Sequence, residues 1–193
     1  MKRKEGVYLY LLEKYRSGKI TQQWIALALG ISLSTVNNAL KPLRKMQAIE
    51  IKPRELIVRD GEKILAYWAT IRKLEKDTIY ATHVRLPVKE IENSMPANVI
   101  FTAFSGYKFL FNDVPADYSE VYIYADEKTL VEIKKRFPTK KGPKNLFVLQ
   151  RSEALRKMSK ITAPPSLLFV DLWNVKGWYA KDFLNALGEK LHG

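Results

Sequence analysis

The stretch "GISLSTVNNALKPLRKM", Gly30 to Met46, decides how the N-terminal part of the chain is read. Gly30 permits the left-handed turn that stops a helix, and Ser32 is a capping residue for the next one. Val36, Leu40 and Leu43 recur at spacings of four and three, which marks one buried stripe of a helix. Leu33 is the first helical residue after the cap. Pro42 is the anomaly. It removes an intrahelical hydrogen bond and crowds the carbonyl of Asn38, which predicts a kink or an early helix end near Lys41. A short head from Ser34 to Asn38 then precedes a basic, bent continuation through Arg44 and Lys45.

Upstream, Thr21 is placed to cap "QQWIALALG", with Trp24, Ile25, Leu27, Ala28 and Leu29 as its expected buried face. Before that, "EGVYLYLLEKYRSG" carries Val7, Leu9, Tyr10, Leu11, Leu12 and Tyr15 on one side of a helix ending at Gly18. Downstream, "AIEIKPRELIVRD" reads as two strands, Ile49–Lys52 and Glu55–Arg59, around Pro53-Arg54. Three helices followed by a basic hairpin are the winged helix-turn-helix pattern. A further helix from Gly61 to Lys76, with Ile64, Leu65, Trp68, Ile71 and Leu74 on one face, closes this first domain, residues 1–76.

From Asp77 the pattern changes. "TIYATHVRL", "ANVIFTAF", "VYIYAD", "NLFVLQ" and "SLLFVDL" read as strands, "EKTLVEIKKRF" and "YAKDFLNALGEKL" as helices, and "FSGYKF" as a turn. Strands alternating with helices predict an α/β domain with a mixed sheet over residues 77–193. The expected fold class is therefore α+β: a winged helix-turn-helix domain followed by an α/β domain.

The chain of 193 residues carries a net charge of +13, distributed in blocks. Residues 1–60 hold 12 Lys and Arg against 5 Asp and Glu, and residues 134–160 hold 10 against 1. Residues 61–133 are mildly acidic, with 8 against 11. Such blocks point to an anionic partner. With no Cys, disulfides and thiolate sites are excluded, and His83 and His192 alone make a zinc site improbable. No cofactor or metal is expected. No apolar run approaches 18 residues and no leader pattern opens the chain, which predicts a cytoplasmic protein with no membrane partner.

A helix-turn-helix has a direct mechanism, because the major groove distinguishes all four base pairs. The expected partner is double-stranded DNA, an operator or promoter. Ser34, Thr35, Asn37 and Asn38 are the candidates for base contact, with Asn suited to adenine. Lys41, Arg44 and Lys45 suit phosphates, and Ser32 caps the reading helix beside them. Lys52, Arg54 and Arg59 bring positive charge to the hairpin. Thr21 and Gln22 open the preceding helix, where backbone amides suit a phosphate. Lys2, Arg3 and Lys4 suit either a minor-groove arm or a solvated tail. A dimer on DNA fits two-fold half-sites, although no dedicated coiled coil is present. The second basic block, "KKRFPTKKGPK", offers Lys134, Lys135, Arg136, Lys140, Lys141 and Lys144 to a partner or a DNA backbone. It lacks the interleaved aromatics of a single-strand platform.

No enzyme motif emerges. There is no phosphate-binding loop of Walker type and no Gly-x-Ser-x-Gly. Asp113, Asp117, Asp126 and Asp171 form no Asp-x-Asp pair for two metal ions. Asp171, after an apolar run, is read as structural before catalytic. His83 is read as a packed or strand-surface residue. Trp173, Trp178 and Tyr179 gather around Gly177 as core or as a partner surface.

Following "STVNNAL", the segments "FTAFSGYKFLF", "VYIYAD", "KNLFVLQ" and "APPSLLFVDLWNVKGWYAKDFLNAL" come in an order that resembles the AbiEi-type antitoxins. The resemblance covers nearly the whole chain. The family's late Asp-Leu segment and the helix that follows are matched by Asp171-Leu172 and by Ala180 to Leu187. "NVKGWYAKDF" departs, with aromatics where the family has a Gly/Arg-rich turn. The resemblance implies a cytoplasmic antitoxin of a type IV pair that represses its own operon through the winged helix. It also implies a second domain that counters a nucleotidyltransferase-like toxin, or acts on that toxin's target, without needing a stable complex.

The leading expectation is thus a non-enzymatic, sequence-specific DNA-binding regulator. Two alternatives stay open at this point. One is a nucleic-acid-modifying or nucleotidyltransferase-like enzyme with a DNA-binding module. The other is a winged-helix scaffold that binds protein.

Overall fold

In a computed structural model, which describes residues 1–192, the basic start of the chain is helical. α1 (Arg3–Lys14) begins at once because Glu5 folds back to accept the Lys2 amide at 3.3 Å. Glu5 is itself buried and accepts Trp68 Nε1–H at 3.3 Å. Arg3 and Lys4 therefore belong to a helix, not to a loose arm. Tyr8 Oη donates to the Ala39 carbonyl at 3.1 Å, which fastens α1 to the third helix.

α2 (Gln22–Leu29) opens on the Thr21 cap, whose Oγ1 accepts the Trp24 amide at 3.1 Å, and stops at Gly30 with φ 64°. Its buried stripe is narrower than the sequence suggests. Ile25 and Leu29 are buried, four apart, while Trp24 and Leu27 are 53% and 82% exposed. At 100° per residue these two lie on the far flank of so short a helix.

α3 (Leu33–Lys45) is capped by Ser32, with the Thr35 amide 3.1 Å from Ser32 Oγ. It does not end at Pro42. Leu43, one residue later, is fully buried and holds the last turn on the core. The end is closed by Ala48 N–H to the Leu43 carbonyl and Gln47 N–H to the Arg44 carbonyl, both at 2.9 Å, with Gln47 at φ 59°. This is the double bond of a helix-closing left-handed turn, and it offsets the bond lost at Pro42.

β1 (Ile49–Lys52) and β2 (Glu55–Val58) form an antiparallel hairpin with Lys52 opposite Glu55, so Pro53 and Arg54 are the turn. Leu56 N–H also bonds the Ile20 carbonyl at 2.7 Å, which seats the hairpin beside the residue pair that starts α2. α4 (Gly61–Ile71) then ends five residues short of the expected Lys76. A separate short helix follows, α5 (Leu74–Asp77). The chain divides into two units at Ile71 and Arg72. Arg72 is 2% exposed and is committed to the second unit by the charged cluster described below.

The second unit is built on a four-stranded mixed sheet in the order β3-β6-β5-β4. The strands are β3 (Thr78–Thr82), β4 (Ile100–Thr102), β5 (Val121–Ala125) and β6 (Leu146–Gln150). β5 and β6 run parallel, and the outer pairs are antiparallel. The helices, in chain order, are α6 (Val88–Asn93), α7 (Ala103–Phe111), α8 (Glu127–Arg136), α9 (Glu153–Met158), α10 (Pro165–Asn174) and α11 (Ala180–His192). Alternation along β5 separates two cores. Val121, Ile123 and Ala125 join Ile91 of α6 and Ile133 of α8 on one face. On the other, the Phe104 ring of α7 meets Tyr122 at 6.2 Å and Phe183 of α11 at 5.0 Å, both edge-on.

Two expected strands are corrected. "ANVIFTAF" is a strand only to Thr102, and "FSGYKF" is helix rather than turn. Gly106 is needed there for close packing, since a Cβ would stand 2.6 Å from Leu168 Cδ2 and 2.9 Å from the Phe101 carbonyl. "SLLFVDL" is helical: Pro165 starts α10, and Leu167, Leu168, Val170 and Leu172 are all buried. A helix buried nearly all round shows no amphipathic period, so its apolar run passes for a strand. Among the described residues no helix is long and apolar enough to cross a membrane.

Candidate nucleic-acid interface

The first unit contains a groove of about 450 Å³ where three elements meet. Thr21 and Gln22 come from the start of α2, Leu33 and Asn37 from α3, and Lys52 and Arg54 from the hairpin turn. The local causes are already in place. The Thr21 cap fixes where α2 begins, the Ser32 cap sets the phase of α3, and the Ile20–Leu56 bridge holds the hairpin alongside. Leu33, 46% exposed, supplies apolar surface to the groove.

The remaining predicted residues of α3 lie outside the groove on the exposed side of the helix. Ser34, Asn38, Lys41, Arg44 and Lys45 are exposed, opposite the buried Val36, Ala39, Leu40 and Leu43. Ser34, Asn38, Lys41 and Lys45 follow one another at spacings of four, three and four, a single row along the surface. Ser32 and Thr35 hydroxyls bond each other at 2.8 Å, so Thr35 is turned to the cap rather than along that row.

Arg59 is ion-paired to Glu50 and donates to it through Nε at 3.0 Å. Lys52 Nζ lies 3.9 Å from the same carboxylate. The Arg59 hydrogen bond holds Glu50 below the usual glutamate range, with Lys52 adding to the pull. Glu50 is not among the residues that the sequence pattern singles out. Its signal lies in the hairpin register, which sets Glu50 opposite Ile57 and makes Arg59 its diagonal neighbour on one face.

The second basic block is arranged otherwise. Lys134, Lys135 and Arg136 are exposed in the last turn of α8, and Lys140, Lys141 and Lys144 in the loop beyond it. That loop is tied down along β3. Tyr80 Oη donates to the Phe137 carbonyl at 2.6 Å, Thr82 Oγ1 accepts the Lys140 amide at 2.9 Å, and His83 Nδ1 lies 2.7 Å from the Pro143 carbonyl. Lys134 stands over the Tyr80 ring at 5.5 Å. Arg136 pairs with Glu132 and donates to the Ser94 carbonyl at 2.8 Å.

The acidic candidates fall apart as a group. Asp126 caps α8, accepting the Thr129 amide at 2.8 Å, and this bond with Arg151 nearby holds its carboxyl low. Asp113 accepts Tyr107 Oη–H at 2.9 Å. Asp171 is fully buried: Oδ1 takes Arg72 Nε at 3.2 Å, and Oδ2 takes Tyr124 Oη at 2.6 Å and Thr102 Oγ1 at 2.7 Å. Arg72 also pairs with Asp77 and donates to Tyr124 Oη at 2.8 Å. Burial pushes the Asp171 carboxyl up, and Arg72, Tyr124 and Thr102 pull against that push. Both Asp171 oxygens are thus engaged, by Arg72, Tyr124 and Thr102. Among the described residues no three His, Asp or Glu are grouped to hold a metal ion. Of the late aromatics, Tyr179 is buried, whereas Trp173 and Trp178 are 52% and 82% exposed.

No family model, curated protein or solved structure matches the chain.

Proposed function

We propose that residues 1–71 form a winged helix-turn-helix that binds double-stranded DNA sequence-specifically, and that the chain is a non-enzymatic transcriptional regulator acting on its own promoter. The observation that carries this reading is the convergence of the capped start of α2, Leu33 and Asn37 of α3, and the hairpin turn with Lys52 and Arg54 around one groove. In this reading α3 enters the major groove, and Asn37 and Asn38 meet base edges. Lys41, Arg44 and Lys45 meet phosphates, Lys52 and Arg54 follow the neighbouring backbone, and the first amides of α2 hold one phosphate more. The Ile20–Leu56 bridge supports it by fixing the spacing of hairpin and helix. In keeping with the sequence resemblance, we assign the chain to the antitoxin type, with the second unit countering a cognate toxin or its target in the cytoplasm.

The test uses the full chain. A duplex from its own upstream region binds more tightly than a random duplex of equal length, by at least ~10³ for a specific site. The logarithm of affinity falls linearly with the logarithm of salt concentration as counterions are released. Equal affinity for the two duplexes sinks the regulator reading. Growth rescue against the product of the adjacent gene tests the antitoxin assignment separately.

A second reading, contact with a protein partner, is favoured by Trp24 and Leu27, which stand exposed on α2. Charge reversal at Lys41 and Lys45 that leaves DNA affinity untouched selects it over the first.

A further inference from the structure

The second unit contains a cavity of about 430 Å³ over the sheet, within the ~300–1,000 Å³ usual for small-molecule sites. Three observations define its chemistry. First, Tyr122 of β5 and Phe147 of β6 both line it, and their rings stack in parallel, 4.5 Å apart and inclined by 7°. The two rings face each other, so each covers one face of its neighbour and the stack meets the cavity with its remaining surface. Second, Glu120 lines it, and its Oε2 is closed off from solvent with no hydrogen-bond partner among the described residues. A buried acceptor left unpaired costs free energy, so its persistence calls for a donor. Third, Lys144 stands at the edge, exposed and outside every ion pair among the described residues. The other lysine at the mouth, Lys176, is taken by Glu75 at 2.7 Å.

The cavity wall is fixed in place. Gly177 passes so near Tyr179 that a Cβ would meet the ring at 2.9 Å. Tyr179 Oη lies 3.1 Å from Ser119 Oγ, next to Glu120. Burial, with the Glu120 charge added, pushes the Tyr122 hydroxyl up.

We propose that this cavity binds a nucleotide, with its base against the Tyr122–Phe147 stack, its N–H edge on Glu120 and its phosphate at Lys144. A carboxylate accepts only, so it suits a base edge with adjacent donors and rejects one that presents acceptors. Guanine offers N1–H beside its amino group and is the favoured base. Uracil, with one N–H between two carbonyls, is disfavoured. The site is independent of the DNA-binding reading, and mononucleotides address it without a duplex.

The test is calorimetric titration of the full chain with GMP, UMP, agmatine and inorganic phosphate. GMP is expected to bind at least tenfold more tightly than UMP, and phosphate alone more weakly still. Glu120→Gln keeps the shape, and thermal melts check that it is folded. It is expected to lose GMP affinity at least tenfold, and Phe147→Leu and Lys144→Ala several-fold each. No GMP binding at millimolar concentration overturns the proposal, as does phosphate binding as tightly as GMP. Agmatine bound in place of GMP makes the ligand a cation and overturns the nucleotide. GMP affinity unchanged in Glu120→Gln overturns the assigned contact.

Discussion

Two arginine–carboxylate pairs, one in each unit, are made of the same chemistry and placed in opposite surroundings. Arg59 and Glu50 face solvent across the hairpin, with side chains 54% and 44% exposed. The Arg72 and Asp171 side chains are both at 0% exposure; they share Tyr124 as a further partner, and Thr102 donates to Asp171. Water already satisfies the first pair when it is broken, whereas the second has nothing to fall back on. The first pair therefore adjusts the field of the exposed hairpin, and the second fixes how α10 meets the sheet.

The sharpest way to break this comparison is Asp171→Ala. It leaves Arg72 charged and buried and strands Tyr124 and Thr102, so the second unit is expected to lose ~3–5 kcal/mol in chemical denaturation. Replacing Arg72 and Asp171 together by Leu is expected to recover part of the loss, because the fully buried charge goes and the Asp77 carboxylate, which loses Arg72, is the one that still reaches solvent. If Asp171→Ala unfolds at the wild-type midpoint, the cluster is not what holds α10.

On the surface side, the contrast lies between two exposed basic segments. Lys41→Glu with Lys45→Glu is expected to weaken duplex binding more than tenfold. Its salt dependence should flatten by ~0.9 in slope for each phosphate no longer neutralised. Lys140→Glu with Lys141→Glu, in the loop fastened along β3, is expected to change binding less than threefold. A reversed order moves the interface to the second unit. Asn38→Ala gives a smaller and more specific effect. If Asn38 makes a bidentate base contact, discrimination against a changed base falls by ~1–3 kcal/mol, while affinity for random duplex holds.

The sequence was most readable where a local signal coincided with the tertiary demand. Thr21, Gly30 and Ser32 cap or stop helices as their types suggest, and the turn at Pro53-Arg54 sets the hairpin register. It was least readable where burial on all sides erased the period, as in α10, or where long-range packing decided an element. Gly106 sits mid-helix because Leu168 and the Phe101 carbonyl leave no room for a Cβ. Pro42 stays inside α3 because Leu43 is buried and the Gln47 turn closes the helix beyond it. For the candidate site, the residue types on α3 were legible, since they lie opposite a clear apolar stripe. The carboxylates that answer the charges were not. Glu50 requires the hairpin register, and the partnership of Arg72 with Asp171 spans 99 positions that no local pattern connects.

The smallest expected effect is also the one that isolates the surface pair. Glu50→Gln removes the carboxylate that occupies Arg59 and draws Lys52, and it should strengthen DNA binding modestly at low salt, with the gain fading as salt screens it. Its melting temperature at neutral pH should stay close to that of the wild type, since an exposed pair adds little stability. The pH dependence follows from the direction of the Glu50 shift. Its carboxyl is held below the usual range in the folded chain by Arg59 and Lys52, so the unfolded chain takes up the proton first as pH falls. The pair's stabilisation is therefore present above the ordinary glutamate range and is lost as pH drops through the lowered folded value. Melts of wild type and Glu50→Gln should differ by the same small amount from neutral pH down to that range, and then converge. A gap that instead widens on acidification would mean that Glu50 is not the group Arg59 holds.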